Sequence, residues 1–293
     1  MKRMKMLLFL VLCGVLLGSQ AVYANMAAPD DPDVGSSITF QKNDALSVTS
    51  EVLDIEVHGA TADITAIYTM ENTTGEAVST PVMFLSPNVE EGGTTVTADG
   101  EALAFTVERY VLRYNTTVQT EDWRYAVLSE AEAEEGQTVD SVSFTMDFAP
   151  RETREIAVSY TYRLGGYPDY DFDVKDGRIE YYLAPAALWK DFQDLTINLY
   201  LDEGMPVIRD SSVEFEEVGT RIYQYVSHTL PEGNLIITID ESSFQEIFSS
   251  LRSPYLWMGV MMFLPVLVPL LLIILAVVIW RVRKKRKANK LEP

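Results

Sequence analysis

Residues 94–108 read TTVTADGEALAFTVE, and this stretch carries the strongest local signal for β structure in the sequence. Apolar and polar residues alternate on both sides of Asp99-Gly100, as they do in a strand with one buried face. Asp and Gly both tolerate the positive φ angles of a two-residue type I′ turn. The stretch therefore predicts a β-hairpin, and with it an antiparallel sheet.

Strands with the same alternation are predicted on both sides of this hairpin. One covers 142–148; after the turn APRETRE comes another over 156–164, and we expect the two to pair. Further strand-like runs recur about every ten residues, separated by Gly, Pro and Asp. The sequence predicts a mainly β protein, an antiparallel β-sandwich ectodomain of one or two packed sandwiches, with a first block over 36–164 and a second over 165–240. In the second block AALWKDF predicts a short helical turn that places Trp189 against the sheet.

The N-terminus has the composition of an export signal. Three basic residues precede an apolar run of twelve, Leu7–Gly18, and small residues before Asn25 suit a signal peptidase. A helix of twelve residues is about 18 Å long, too short for a bilayer core of about 30 Å. We therefore predict a signal peptide over 1–24 and a flexible, Pro-rich leader over 25–35. Cys13, the single cysteine, lies inside this signal, so the mature chain is expected to have no thiol.

The C-terminus predicts one transmembrane helix. Residues 255–280 contain no charge, and Tyr255, Trp257 and Trp280 stand at the ends, where interfacial aromatics lie. The tail that follows, 281–293, carries seven basic residues and is expected on the cytoplasmic side. The predicted location is the cell membrane, with a single span, an extracellular or extracytoplasmic β domain and a basic cytoplasmic tail.

The predicted ectodomain is strongly acidic. Outside the signal and the tail there remain 13 basic and 42 acidic residues, a net charge of −29. Such a surface repels nucleic acid and anionic headgroups, so we expect no nucleic-acid partner. It favours a cationic partner, although a solvated exterior has the same composition.

An amphipathic helix is predicted over 241–252, directly before the span. Phe244, Ile247, Phe248 and Leu251 fall on one face, and Ser243 with Glu246 fits a capping box. This face is expected either to pack on the sandwich or to lie in the outer membrane interface.

One stretch of the second block, from residue 169 to residue 180, resembles a calcium-binding loop. Asp169, Asp171, Asp173 and Glu180 occupy positions 1, 3, 5 and 12 of the D-x-D-x-D-G pattern, but Val174 stands where the pattern needs glycine. Tyr170, Phe172 and Val174 alternate with these acids, which favours a strand or extended loop turned at Asp176-Gly177. Calcium remains possible, and no other cofactor is predicted.

The chain also resembles a known group of proteins. The segments GSSITFQKNDALSVTSEVLDIEV, MENTTGEAVSTPVMFLSPN, MDFAPRETREIAVSYTYRL and IEYYLAPAALWKDFQDLTINLYL are similar to exported, single-span bacterial proteins of unknown function, many of them Gram-positive. A more distant similarity is to the vault and inter-α-trypsin domain, a β-sandwich. The resemblance implies a β-sandwich fold and supplies no catalytic residue.

Three hypotheses of function follow. The first is a non-enzymatic, membrane-anchored module that binds, senses or scaffolds at the cell surface, with an unknown protein or surface ligand. The second is an extracytoplasmic hydrolase that uses paired carboxylates. The third is an accessory subunit whose span, containing Pro265 and Pro269, docks on a multi-span partner. The two histidines, His58 and His228, are expected in turns, and no H-E-x-x-H, P-loop or G-x-S-x-G motif occurs. The sequence leaves the oligomeric state open.

Overall fold

The computed structural model describes residues 37–38, 43–90, 92–112, 127–129, 137–170, 172–183, 186, 188–231 and 233–288. The predicted signal peptide, the leader and the last residues of the tail lie outside these ranges. The described residues form two compact units. We call them the β body, 37–167 with 175–240, and the helical unit, 168–174 with 241–288.

The β body consists of strands that are mostly short. In chain order they are β1 (Ser37–Ile38), β2 (Leu46–His58), β3 (Thr61–Asn72), β4 (Val78–Ser86), β5 (Thr95–Ala98), β6 (Glu101–Ala102), β7 (Phe105–Leu112), β8 (Val127–Ser129), β9 (Gln137–Phe148), β10 (Thr153–Arg163), β11 (Asp176–Tyr181), β12 (Phe192–Tyr200), β13 (Val207–Ser211), β14 (Glu216–Gly219), β15 (Ile222–Ser227) and β16 (Leu235–Asp240).

These strands form three sheets. The main sheet has eight strands in the order β14-β15-β12-β2-β3-β10-β5-β6, a second has five in the order β1-β8-β7-β9-β4, and a third has three in the order β11-β16-β13. Among the described pairs only β2 and β12 run parallel. The predicted mainly β fold is confirmed, and strands from both predicted blocks, 36–164 and 165–240, lie side by side in the main sheet.

The hairpin at Asp99-Gly100 is present. Asp99 has φ 52° and Gly100 φ 80°, so both turn residues have the positive φ of a type I′ turn. Ala98 pairs with Glu101 across the turn. The second strand of the hairpin is only two residues long, because the chain then crosses to the five-stranded sheet and continues as β7.

The core lies where the inner faces of the three sheets meet. Phe84 of the five-stranded sheet packs edge-on against Tyr160 of the main sheet, with ring centroids 5.4 Å apart. Its ring is also 6.1 Å from that of Tyr181 in the three-stranded sheet. All three rings are fully buried. The small sheets thus share one apolar core with the main sheet.

The predicted pairing of the strands over 142–148 and 156–164 is wrong. β9 pairs with β4 and β7, whereas β10 pairs with β3 and β5. The connection between them carries Arg151 at φ 61° and crosses from one sheet to the other. The alternation of apolar residues indicates only that each strand buries one face. In a sandwich, two such faces can oppose each other across the core from different sheets, so alternation does not show that the strands pair.

The turn predicted at Asp176-Gly177 is also wrong, because both residues belong to β11. Gly177 is buried, and a Cβ there would lie 2.8 Å from Leu164 Cδ1 and 3.4 Å from Ile239 Cγ1. Close packing, rather than a turn, accounts for this glycine.

The predicted helical turn at Trp189 is confirmed. The Trp189 amide donates to the carbonyl of Ala186 at 3.4 Å, and the indole is 2% exposed. An isolated bridge joins Trp189 to Asn43, ahead of β2. The side chain therefore fills the core at the start of the main sheet.

Two helices follow the β body, α1 (Ser243–Arg252) and α2 (Pro254–Ala288). The predicted capping box is displaced by one residue: Ser242 and Gln245 form it, with Ser242 N and Oγ donating to Gln245 Oε1 at 2.9 and 2.6 Å. Within α2, residues 254–281 are long and apolar enough to cross a membrane and are not buried by the protein.

Candidate binding surface

The outer face of the main sheet, the one turned away from the core, presents partly exposed side chains in regular rows. Side chains alternate between the two faces of each strand, and the strand register aligns the outward positions of neighbouring strands. In β2, for example, Leu53, Ile55 and Val57 are buried, whereas Asp54 and Glu56 face outward. The rows described below run across β10, β3, β2, β12 and β15.

A polar row crosses the middle of the outer face. Its members, one from each of the five strands, are Ser159, Thr65, Asp54, Asn198 and Gln224. Thr65 Oγ1 donates to Ser159 Oγ at 3.0 Å, Asn198 Nδ2 to Asp54 Oδ1 at 2.7 Å, and Gln224 Nε2 to Asn198 Oδ1 at 2.8 Å. The two amides are therefore oriented head to tail, with the Asp54 carboxylate as the final acceptor.

This arrangement fixes the side chains before any partner arrives. The Asn198 amide donates to Asp54 and accepts from Gln224, and the Gln224 amide donates to Asn198. These hydrogen bonds set the orientation of both amides. A side chain that is already ordered loses less entropy on binding than a mobile one. The polar row is thus suited to recognising a partner at low entropic cost.

An aliphatic row lies directly beside the polar row. Four of its five members are aliphatic, namely Ala157, Ile67, Val52 and Val226, and the fifth is Thr196. Val226 is 59% exposed, and the side chains of the other four are partly exposed. Apolar side chains next to ordered polar groups are the combination found in protein interfaces.

A mixed row with two acidic residues borders the polar row on its other side. It contains Thr161, Asp63, Glu56, Tyr200 and Ile222. Thr161 Oγ1 donates to Asp63 Oδ1 at 2.9 Å. His58, predicted in a turn, ends β2 beside this row, and its Nε2 lies 3.7 Å from Glu56 and 3.8 Å from Asp63.

The second histidine lies at the opposite margin of the outer face. His228 Nδ1 is 2.5 Å from Asp194 Oδ1, and both side chains are exposed. Asp194 continues the row formed by Glu155, Thr69 and Ser50. Each histidine therefore has carboxylate neighbours on an open surface, and the hydrolase hypothesis stays a prediction.

Of the four predicted calcium ligands, three lie among the described residues, and these three belong to two different units. Asp169 and Asp173 are exposed in the helical unit, Glu180 belongs to β11 in the β body, and Asp171 lies outside the described residues. Within the described ranges, no three His, Cys, Asp or Glu side chains are grouped so that they could hold a metal ion. A calcium site that includes Asp171 stays a prediction.

Glu180 already has partners in the β body. Its Oε1 accepts from Asn234 Nδ2 at 3.2 Å, and its Oε2 lies 3.8 Å from Arg178. Burial raises the pKa of this carboxyl, while Arg178 and Asn234 lower it in part. These contacts give Glu180 a structural role at the end of β11.

A polar cluster lies inside the core, beneath the outer face. The Tyr181 hydroxyl donates to Glu51 Oε1 at 2.8 Å and is 2.7 Å from the Tyr68 hydroxyl. All three residues are at most 2% exposed. Burial, followed by the nearby Glu51, raises the pKa of Tyr181 well above its ordinary value. Because the cluster joins the main sheet to the three-stranded sheet, we infer that it stabilises the fold by holding these two sheets together.

The fold and the outer face define a mainly β protein with an open, hydrogen-bonded sheet face and one C-terminal apolar helix. No protein-family model and no curated protein matches the sequence. A Legionella pneumophila crystal structure, described as a "putative nutrient binding protein", is similar to this chain at 12% identity and a TM-score of 0.45; the match covers 80% of this chain and 77% of that one.

Two structures of longer proteins also resemble parts of the chain. Yeast LTA4 hydrolase with bestatin matches at 12% identity and a TM-score of 0.36, over 67% of this chain and 29% of its own. An M1 zinc metallopeptidase of Deinococcus radiodurans matches at 13% identity and a TM-score of 0.31, over 68% of this chain and 43% of its own. This chain thus spans less than half the length of either protein, and likenesses this distant do not bear on what it binds.

Proposed function

We propose that this protein is a membrane-anchored binding module whose outer sheet face recognises a protein partner. The observation that carries the proposal is the polar row, in which Gln224, Asn198 and Asp54 are fixed by one another across three strands. Ordered polar groups beside the partly exposed aliphatic row supply both specificity and apolar contact area.

The partner is proposed to be a protein with basic groups. Asp54, Glu56, Asp63, Glu155 and Asp194 all face outward on the main sheet. Their field attracts cations and repels nucleic acid. An open sheet face favours binding over catalysis and over small molecules, since sites for small molecules are concave.

Anchoring is proposed to depend on α2. Its apolar stretch, 254–281, is long enough to span a bilayer, and basic residues follow it. By the positive-inside rule those residues lie in the cytoplasm, which places the β body outside. The export signal predicted over 1–24 supports the same orientation.

Site-specific photocrosslinking tests the proposal. A benzophenone amino acid at Val226, in the aliphatic row, is compared with the same amino acid at Val207, an exposed valine of β13 that lies outside the main sheet. In intact membranes we expect a defined crosslinked protein with Val226 and none with Val207. The crosslink should disappear when Asp54→Lys is added and when excess unlabelled residues 25–240 compete.

Two outcomes would contradict binding at the outer face. One is equal crosslinking from Val226 and Val207, and the other is a Val226 crosslink that survives Asp54→Lys in a protein with an unchanged melting temperature. If crosslinking instead arises only from positions in α2, to a multi-span protein, the accessory-subunit hypothesis replaces this one.

A further inference from the structure

α1 exposes a complete apolar face. Phe244, Ile247, Phe248 and Leu251 are 69%, 59%, 50% and 48% exposed. The rings of Phe244 and Phe248 contact each other edge-on, with centroids 4.8 Å apart. The polar side of the helix has its own bonds, since Ser249 Oγ donates to Glu241 at 2.6 Å and accepts from Arg252 at 3.0 Å. The apolar side is therefore the part of α1 left for a partner.

The apolar face continues directly into the helix that can span a membrane. Only Ser253 separates α1 from α2. Tyr255 lies four positions after Leu251, so the two residues are at most about 14 Å apart even when the chain between them is extended. Trp257 Nε1 also donates to the carbonyl of Leu251 at 2.9 Å, which ties the end of α1 to the first turn of α2.

A loop far from α1 in sequence belongs to the same unit. Tyr170 stacks on Phe172, with ring centroids 5.2 Å apart and planes 14° apart. Phe172 in turn meets Tyr255 edge-on at 5.9 Å. Tyr170 is 60% exposed, so the loop 168–174 presents a second aromatic surface beside the start of α2.

We propose that the apolar face of α1 and the Tyr170–Phe172 pair are inserted into the boundary between lipid headgroups and acyl chains. This inference rests on the proposed anchoring by α2 and adds a second membrane contact. An amphipathic helix in the interface buries its apolar face about 5–10 Å deep, and tyrosine and tryptophan concentrate at the same depth. Continuity with the span makes lipid the occupant, because a chain that enters the bilayer near Tyr255 holds Leu251 within about 14 Å of that point.

Spin labels on the full-length protein in vesicles of neutral and anionic phospholipid test this proposal. In a Cys13→Ser background, Phe248→Cys and Tyr170→Cys probe the two surfaces, and Leu251→Cys repeats the first. Glu246→Cys, on the other side of α1, and Val268→Cys, in the middle of the span, are the controls. We expect labels at 248, 251 and 170 to collide freely with oxygen and to lose collisions with a water-soluble nickel complex, whereas the label at 246 keeps them.

Three results would overturn the inference. Nickel collisions at 248 and 251 equal to those at 246 would place the face in water. Labels shielded from both oxygen and nickel would place it against protein, either the β body or a second copy of the chain. Free nickel collisions at 268 would show that the middle of α2 lies in water and would refute the proposed anchoring by α2. The label at 268 therefore distinguishes a failure of the anchoring proposal from a failure of the interfacial contact alone.

Discussion

The side-chain amide of Asn198 donates a hydrogen bond to Asp54, with Nδ2 2.7 Å from Oδ1, although the two residues are 144 positions apart in sequence. The two residues are register partners in the parallel pair β2–β12. The same bond therefore orders the outer face and joins an early strand to a late one.

A double-mutant cycle should detect the coupling between these two residues. Asn198→Ala is expected to lower the free energy of unfolding by about 1 kcal/mol, since each such bond contributes about 0.5–1.5 kcal/mol. In an Asp54→Ala background, Asn198→Ala should lower the free energy of unfolding by clearly less than this. Urea unfolding of residues 25–240 measures both, with the exposed Gln193→Ala of the same strand as control. Strictly additive effects would show that the polar row is not coupled.

Trp189→Ala should destabilise the β body by about 3–5 kcal/mol, because it removes a buried aromatic and leaves a cavity. The indole is 2% exposed and lies against the start of the main sheet. Thermal unfolding checks this, and Tyr170→Ala, at 60% exposure, is the matched control with little expected change. An unaltered melting temperature for Trp189→Ala would refute its role as a core residue.

Stability should fall steeply above about pH 10. Burial raises the pKa of Tyr160 and Tyr181, so both stay protonated in the folded state while the unfolded chain loses protons at the ordinary tyrosine pKa of about 10. Their contribution is complete below about pH 10 and is lost as the pH rises, by about 1.4 kcal/mol per pH unit for each group.

Tyr181→Phe tests that assignment. It should lower stability at pH 7 by about 1–3 kcal/mol through the lost bonds to Glu51 and Tyr68, and it should flatten the decline above pH 10. Tyr170→Phe, an exposed ring, serves as the control. An identical alkaline slope in Tyr181→Phe and the unmodified protein would contradict the pKa argument.

Calcium is expected to raise the melting temperature no more than magnesium does at the same concentration. Glu180 already contacts Asn234 and Arg178, and both ions would only screen a predicted ectodomain of net charge −29. A true site of this kind would add about 2.7 kcal/mol at a hundredfold excess over Kd. A calcium-selective shift that Asp171→Asn abolishes would instead establish the site.

Local features of the fold could be predicted because they depend on neighbouring residues. Asp99 and Gly100 adopt the positive φ angles that these two residue types tolerate, Trp189 follows a short turn into the core, and residues 254–281 form one apolar helix. Each of these depends on a few consecutive residues, so the sequence pattern contained enough information.

Pairings between distant strands could not be predicted in the same way. Alternation showed that β9 and β10 each bury one face, but the same alternation occurs in hairpin partners and in strands from opposite sheets. The polar row had no local signal, because Asp54, Asn198 and Gln224 come together only through the parallel pair β2–β12 and its neighbour β15. The packing role of Gly177 had no local signal either, because its close neighbours, Leu164 and Ile239, are distant in sequence.

The parallel pair also sets the order of events during synthesis. Asp54 and Asn198 are 144 positions apart in sequence, so β2 leaves the ribosome roughly 7–30 s before its partner at translation rates of about 5–20 residues per second. During that interval one edge of β2 has no strand beside it, and an unpaired edge is a template for aggregation. We expect the carboxylates of Asp54 and Glu56 to discourage wrong pairing during this interval, as charged residues on unpaired strands generally do.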